Sequence, residues 1–401
     1  MKRILPFALL LIAATPATRA QSPADPALSA EVRRAMQPFV DSGELAGVVA
    51  LVGDRDKVLA LEAIGKARIE DDRPMRPDTV FRIASMTKPI TAIAIMMLAD
   101  EGKLRPEEPV AKYLPEFQGQ KLVAGRDGDT ITLKSPRRPI TLRDLLTHTS
   151  GLPGGPPQGL GDLYTRRNHT LAEAVMAFSQ RPLEFEPGTK WAYCNAGIDT
   201  LGRVVEVVSG QSYEDFLKSR IFGPLGMDDT AFYPPADLLA RSAMTYDRKD
   251  GMLVPASSTI IGPPQGAKYP IPAGGLYSTA PDMARLYRMM LHRGELDGRR
   301  YLTESAVAEM TRLQTGEIKT GFVDGMGFGY GWAFVREPQG VTAMLSPGTF
   351  GHGGAFGTQG WIDPAAGRFV VLMIQRTGLP NSDASDFRKA LQQVAFPSKA
   401  K

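Results

Sequence analysis

Strand-like sequence sits at the two ends of this 401-residue chain, and that placement limits the fold more than any other feature. Near the N-terminus, Gly47-Val48-Val49-Ala50-Leu51-Val52 and Val58-Leu59-Ala60-Leu61-Glu62-Ala63 flank the polar turn 53–57, the pattern of a β-hairpin. Near the C-terminus, segments 330–335, 350–354 and 361–362 lead through a turn at 363–367 to the strand-like 369–374, and a helix is expected around 387–394. The middle follows helical rules. Thr141/Asp144, Thr170/Glu173, Ser212/Asp215 and Thr279/Asp282 each set a hydroxyl residue three positions ahead of an acid at the start of an apolar-periodic run. Ile140 and Leu145 take the hydrophobic-staple positions around the first of these caps. Loops rich in Pro and Gly separate the helices at 151–161 and 255–275, and 126–139 reads as a small surface hairpin. The expected architecture is α/β of the α+β kind. It is a single unit over 21–401: an antiparallel sheet flanked by helices, drawn from about 30–100 and 275–395, with a mainly helical region at about 101–274.

Residues 1–20 read as a secretory signal, with Lys2 and Arg3, an apolar run over 4–14, and Thr18-Arg19-Ala20 as a small-residue cleavage site. Export to a periplasmic or extracellular location is therefore expected. The formal charge is +4, and Lys2, Arg3 and Arg19 account for most of it, so a processed chain is nearly neutral. Such a surface offers no electrostatic case for phosphate, no nucleic-acid motif is present, and nucleic acid is set aside as a partner. Beyond residue 20 the longest wholly apolar run is 92–99, far short of the roughly 20 residues that cross a bilayer. Cys194, the single cysteine, has no partner for an intramolecular disulfide. No cysteine follows the signal to take a lipid.

The chain lacks G-x-S-x-G, H-E-x-x-H and any Cys/His cluster, which removes the α/β-hydrolase elbow and zinc chemistry. What remains is Ser85-Met86-Thr87-Lys88, which follows strand-like 80–83 and opens an apolar helix reaching residue 99. Residues three apart share a helix face, so the Lys88 amine can lie beside the Ser85 hydroxyl. A serine hydroxyl needs a base to take its proton, and a partly buried lysine can have its pKa lowered enough to serve. On spacing alone the alternative stands: Ser85 as an ordinary N-cap and Lys88 as a solvated helix residue, and Ser398-Lys399-Ala400-Lys401 repeats the pattern in a polar tail.

Tyr193-Cys194-Asn195 can project a phenol and an amide into one cleft while Cys194 faces away, or it can be a core tyrosine followed by a helix cap. Gly351-His352-Gly353-Gly354-Ala355 can be a strand edge lining the cleft. The Ala355 N–H would then be a second oxyanion donor opposite that of Ser85. Alternatively it is a glycine-rich bend with His352 on the surface. His292, beside Arg293 and Gly294 at a helix end, reads as structural, as do His148 and His169.

Taken in order, Ser85-Met86-Thr87-Lys88, Tyr193-Cys194-Asn195 and His352-Gly353-Gly354 resemble the active-site motifs of the class C β-lactamase-related serine hydrolases and penicillin-binding proteins. The likeness extends to 145–152, to Pro187-Gly188-Thr189 and to 273–279. It implies a serine β-lactamase/penicillin-binding-protein-like fold and a covalent acyl-enzyme on Ser85, with acid and base duties shared by Lys88 and Tyr193. It also implies that Asn195, His352, Gly353 and Gly354 meet the substrate, that the Ser85 and Ala355 N–H groups form the oxyanion hole, and that no metal or organic cofactor is needed. One departure stands out: β-lactamases of this kind usually carry Lys-Thr-Gly or Lys-Ser-Gly where this chain has His352-Gly353-Gly354. Losing that cation and hydroxyl weakens the case for a substrate carboxylate. The His-x-Gly form resembles the esterase and D-amino-acid peptidase branches.

The expected partner is a small ester, amide or lactam, with an esterase as the leading reading and a β-lactamase or D-alanyl-D-alanine-type peptidase as the alternative. A binding or sensory module that kept the pocket without turnover is a third class. A monomer is compatible with all three.

Overall fold

The computed structural model describes residues 25–256 and 263–396. The signal-like 1–20 and the Ser398 to Lys401 repeat lie outside the described residues. Three strands come from the N-terminal end: β1 (Gly47–Asp54), β2 (Val58–Arg68) and β3 (Arg73–Pro74). A short antiparallel pair, β4 (Phe81–Arg82) and β5 (Tyr277–Ser278), follows. The C-terminal end supplies β6 (Met326–Phe328), β7 (Ala333–Val335), β8 (Phe350–Gly353), β9 (Gln359–Asp363) and β10 (Arg368–Met373). The main sheet has eight strands in the order β6-β7-β8-β9-β10-β1-β2-β3. The chain ends meet where β1 pairs antiparallel with β10, Val49 opposite Met373 and Leu51 opposite Val371.

Alternation along β1 assigns its side chains to two cores. Val48, Ala50 and Val52 join the cluster that includes Val32 and Met36 of helix α1 (Pro26–Asp41) and Phe387 and Leu391 of the last helix, Asp386–Ala395. Phe39 and Phe387 close that layer edge to face, with ring centroids 4.8 Å apart. Val49 and Leu51 face the larger core, shared with the helical region. Burying each such side chain contributes about 1.5–3 kcal/mol, and a one-residue slip would exchange the two faces. Coverage on both sides is why β1 reads as an unbroken apolar run.

Helix α2 (Lys88–Asp100) is buried from Lys88 to Leu98, so it shows no polar stripe. It packs against α3 (Asn195–Ser209), which carries the second motif. The caps form as their spacing predicts: Thr141 and Thr170 make reciprocal capping boxes, and Ser212 and Thr279 accept from the N–H groups of Asp215 and Asp282. The surface hairpin pairs 122–127 with 130–134 and begins four residues before the expected start. The middle also holds a second exposed hairpin, Tyr246–Lys249 with Met252–Pro255. Its turn residues Asp250 and Gly251 both have positive φ, +51° and +83°, as a type I′ turn requires. Among the described residues no helix is long and apolar enough to cross a membrane.

Candidate active site

The nucleophile candidate sits on a tight turn. After β4 the chain passes through Ala84 at φ +45°, a left-handed conformation uncommon outside glycine, into a 3₁₀ turn, Ala84–Thr87, that runs on into α2. Ser85 is therefore not an N-cap. It is partly exposed, whereas Met86, Thr87 and Lys88 are fully buried. Lys88 is thus not a solvated residue. Its Nζ donates to Ser85 Oγ at 3.2 Å, Asn195 Oδ1 at 2.8 Å and the Ala273 carbonyl at 2.7 Å, using all three hydrogens of an ammonium. Burial lowers its pKa from 10.5 to about 7, against the opposing pull of Asp199 and Cys194.

Tyr193 and Asn195 converge on that amine from the start of α3. The Tyr193 ring centroid is 4.6 Å from Nζ. Burial holds its phenol well above the ordinary value of 10, with the Ser85 contact acting the other way. Cys194, between them, turns away and accepts the Gly197 N–H on its sulfur at 3.3 Å. The helix cap is therefore Cys194 and not Asn195, whose amide NH₂ stays available while its oxygen holds Lys88.

A cage of rings fixes the phenol: His148 at 4.6 Å, Phe322 at 5.1 Å, His352 at 6.1 Å and Trp191 at 6.2 Å between centroids. His148 is the member that the sequence left outside the site. It is buried at φ +60°, its Nδ1 accepts the Cys194 N–H at 3.2 Å, and burial holds it well below the usual histidine range. Its sequence signal was only adjacency to Thr149-Ser150-Gly151.

The third motif is at the end of β8, where Phe350 and Gly351 pair with β7 on one side and β9 on the other, while His352 and Gly353 pair with β9 alone. His352 is 3% exposed, which removes the surface reading. Its Nδ1 lies 2.7 Å from the Gly353 carbonyl, so the neutral ring carries its proton there. Burial, followed by the Lys88 charge, lowers its pKa to about 4, so this position supplies no cation at neutral pH. A Cβ on Gly354 would lie 2.5 Å from the Ile83 carbonyl, a contact only glycine permits, and Thr358 Oγ1 donates to the same carbonyl at 3.2 Å. The third motif is thereby clamped onto the turn that carries Ser85. Gly353 is likewise crowded, by Asp383 and Gln359, and Ala355 is the exposed residue of the segment. Among the described residues neither the Ser85 nor the Ala355 backbone N–H has an acceptor.

The remaining histidines are elsewhere. His292 closes the helix Ala280–Leu291 with Nε2 2.8 Å from the Arg55 carbonyl, and His169 is part-exposed beside Glu173.

Comparison with known proteins identifies the family. The family described as Beta-lactamase matches residues 32–395. The chain is 33% identical to esterase EstB of Burkholderia gladioli over 82% of its length and 86% of that protein's. It is also 33% identical to penicillin-binding protein 4 of Amycolatopsis lactamdurans, over 79% and 78%. Among solved structures it superposes on EstCE1, described as a hydrolase with promiscuous acyltransferase activity, with a TM-score of 0.78, 26% identity and coverage of 92% and 99%. The chain belongs to the beta-lactamase family and is a serine hydrolase of that family.

Proposed function

We propose that this protein is an exported esterase that works through an acyl-enzyme on Ser85. The reading rests on one observation above the others: the fully buried Lys88 amine, with its pKa lowered to about 7, lies 3.2 Å from a partly exposed serine hydroxyl. Ser85 Oγ attacks the ester carbonyl carbon and its proton passes to neutral Lys88, because the Tyr193 phenol is held too high to ionise near neutrality. The carbonyl oxygen gathers the developing charge against the Ser85 and Ala355 N–H groups. The Asn195 amide NH₂ orients the same region of the substrate. Collapse breaks the C–O bond to the leaving alcohol, which takes a proton relayed by Lys88 and Tyr193. Water then attacks the acyl carbon by the same route and frees Ser85.

A neutral ester is favoured because His352, uncharged and buried, offers no partner for a carboxylate. The second reading, a β-lactamase or D-alanyl-D-alanine-type peptidase, is supported by the similarity to penicillin-binding protein 4. Intact-mass analysis after exposure to a p-nitrophenyl ester, a fluorophosphonate and a penicillin separates the two. Ester turnover with fluorophosphonate labelling and no lasting penicillin adduct is the expected result. A persistent penicilloyl adduct would favour the second reading, and no adduct from any reagent would mean a binding module. The export part is tested by N-terminal sequencing of the protein from the periplasm or medium, expected to begin at Gln21.

A further inference from the structure

The amine of Lys88 is held by a backbone strap whose own support is a carboxylate. Residues 269–275 form a tight reversal in which the Gly274 and Gly275 N–H groups both donate to the Ile271 carbonyl at 2.8 Å. Ile271 is at φ +58°, a conformation that a β-branched residue adopts only under outside constraint. That constraint comes from several bonds. Arg167 Nε donates to the Tyr269 carbonyl at 2.7 Å and Thr91 Oγ1 to the Pro272 carbonyl at 2.8 Å. Asp199 Oδ1 accepts the Ala273 N–H at 2.8 Å, and the carbonyl of that same residue accepts Lys88.

Asp199 lies one helical turn beyond Asn195 on α3, so the two side chains share a face. Asn195 touches Lys88 directly, and Asp199 reaches it through Ala273. The carboxylate is fully buried, and the hydroxyls of Tyr269 and Tyr164 also donate to it, the latter at 3.1 Å. Burial raises the Asp199 pKa to about 6, while these three donors and the Lys88 charge pull the other way, so near neutrality the group is mainly a carboxylate. We propose that Asp199 is a positioning residue for Lys88: it fixes the Ala273 carbonyl that aims the amine at Ser85, and it places a buried negative charge behind that amine. The role in catalysis rests on the hydrolase reading; the link between the two side chains does not.

The groups around the pair bear this out. Facing Asp199 are Tyr164 and Tyr269, with Tyr213, Cys194 and Lys88 within electrostatic reach. Facing Lys88 are Ser85, Tyr193, Asn195, His148, His352 and Cys194. With both histidines neutral and the phenols and thiol protonated, Asp199 is the anion left to oppose the burial of the ammonium. A base is most effective with its pKa near the working pH. Burial alone would carry Lys88 too low, and the carboxylate restores part of the shift.

The test follows the Lys88 titration directly by ¹³C NMR of its Cε, assigned with Lys88→Arg, in the wild type and in Asp199→Asn. The asparagine oxygen can still accept from Ala273 while the charge is gone, so the midpoint is expected to fall by about one pH unit or more. The acid limb of kcat/KM on p-nitrophenyl acetate should move with it. Should the asparagine variant not fold, Tyr164→Phe removes one donor from the carboxylate, leaves it more easily protonated and moves the midpoint the same way by less. A Lys88 midpoint that stays in place in a folded variant overturns the proposal, since a purely structural Asp199 lowers activity alike at every pH. A midpoint that moves in a protein that turns over no ester would instead sink the esterase reading and leave this link intact.

Discussion

Ser85 Oγ and Lys88 Nζ are 3.2 Å apart, yet the first residue is partly open to the cleft and the second has no exposure at all. One group is thus reachable by substrate while the other is kept dry enough to lose its proton near neutrality.

Ser85→Ala separates chemistry from folding. Lys88 keeps its bonds to Asn195 and the Ala273 carbonyl, so the loss of one partly exposed hydroxyl should change stability by no more than about 1 kcal/mol. Fluorophosphonate labelling, read by intact mass, should disappear while the melting curve barely moves. A variant that unfolds would mean the hydroxyl holds the turn together.

Lys88→Arg tests whether proton acceptance is what matters at that position. Guanidinium stays charged at any working pH, so it cannot take the Ser85 proton. Turnover of a p-nitrophenyl ester should fall by about 10²–10⁴-fold. Retention of near wild-type kcat would point to Tyr193 as the base.

The pH profile carries the same argument in the intact protein. Lys88 with its pKa lowered to about 7 is an ammonium below that pH, unable to accept a proton, and a free amine above it. The kcat/KM for a neutral ester should therefore rise with pH through a midpoint near 7 and be flat over the next two units. His352, at about 4, should add no step between pH 5 and 9. Stopped-flow or steady-state rates over pH 5–9 decide this, and a limb falling with rising pH across neutrality would contradict it.

What the sequence disclosed, and what it hid, follows from the range of the interactions. Thr141 and Asp144, or Ser85 and Lys88, lie within one helical turn, so spacing alone placed them side by side. The terminal strands were legible because β1 and β10 are apolar enough to announce burial on both faces. The remaining partners of Lys88 come from 107 and 185 residues away, and burial, which sets its pKa, belongs to the assembled fold. His148 escaped for the same reason, since its role is a ring contact made only once α3 docks. The hairpin at Asp250-Gly251 carries a local signal, the Asp-Gly pair, within the stretch 101–274 expected to be mainly helical.

Cys194 is packed in the larger core, and its sulfur also caps α3. Serine is among the strongest caps, so Cys194→Ser should hold or raise stability, by up to about 1 kcal/mol, with ester turnover retained. In the wild type, burial pushes the thiol pKa up to about 12, so native protein should resist Ellman's reagent and react only on unfolding. Fast labelling of the folded protein would show that the start of α3 opens in solution.

His352→Lys addresses the departure in the third motif. The histidine ring is neutral, buried and bonded to the Gly353 carbonyl, so a substrate carboxylate brought to this side of the cleft meets no compensating charge. A lysine here supplies one, and a charge-assisted bond contributes about 1.5–3 kcal/mol, roughly a tenfold gain or more in kcat/KM for a penicillin relative to p-nitrophenyl acetate. The same change sets a second ammonium among the rings near Lys88, where like charge and burial both oppose it, so a lower melting temperature should accompany the gain. The ratio of the two kcat/KM values is the quantity to read, because a general loss of folded enzyme cancels in it. An unchanged ratio in a folded variant would mean that carboxylate selection in this protein lies outside the third motif.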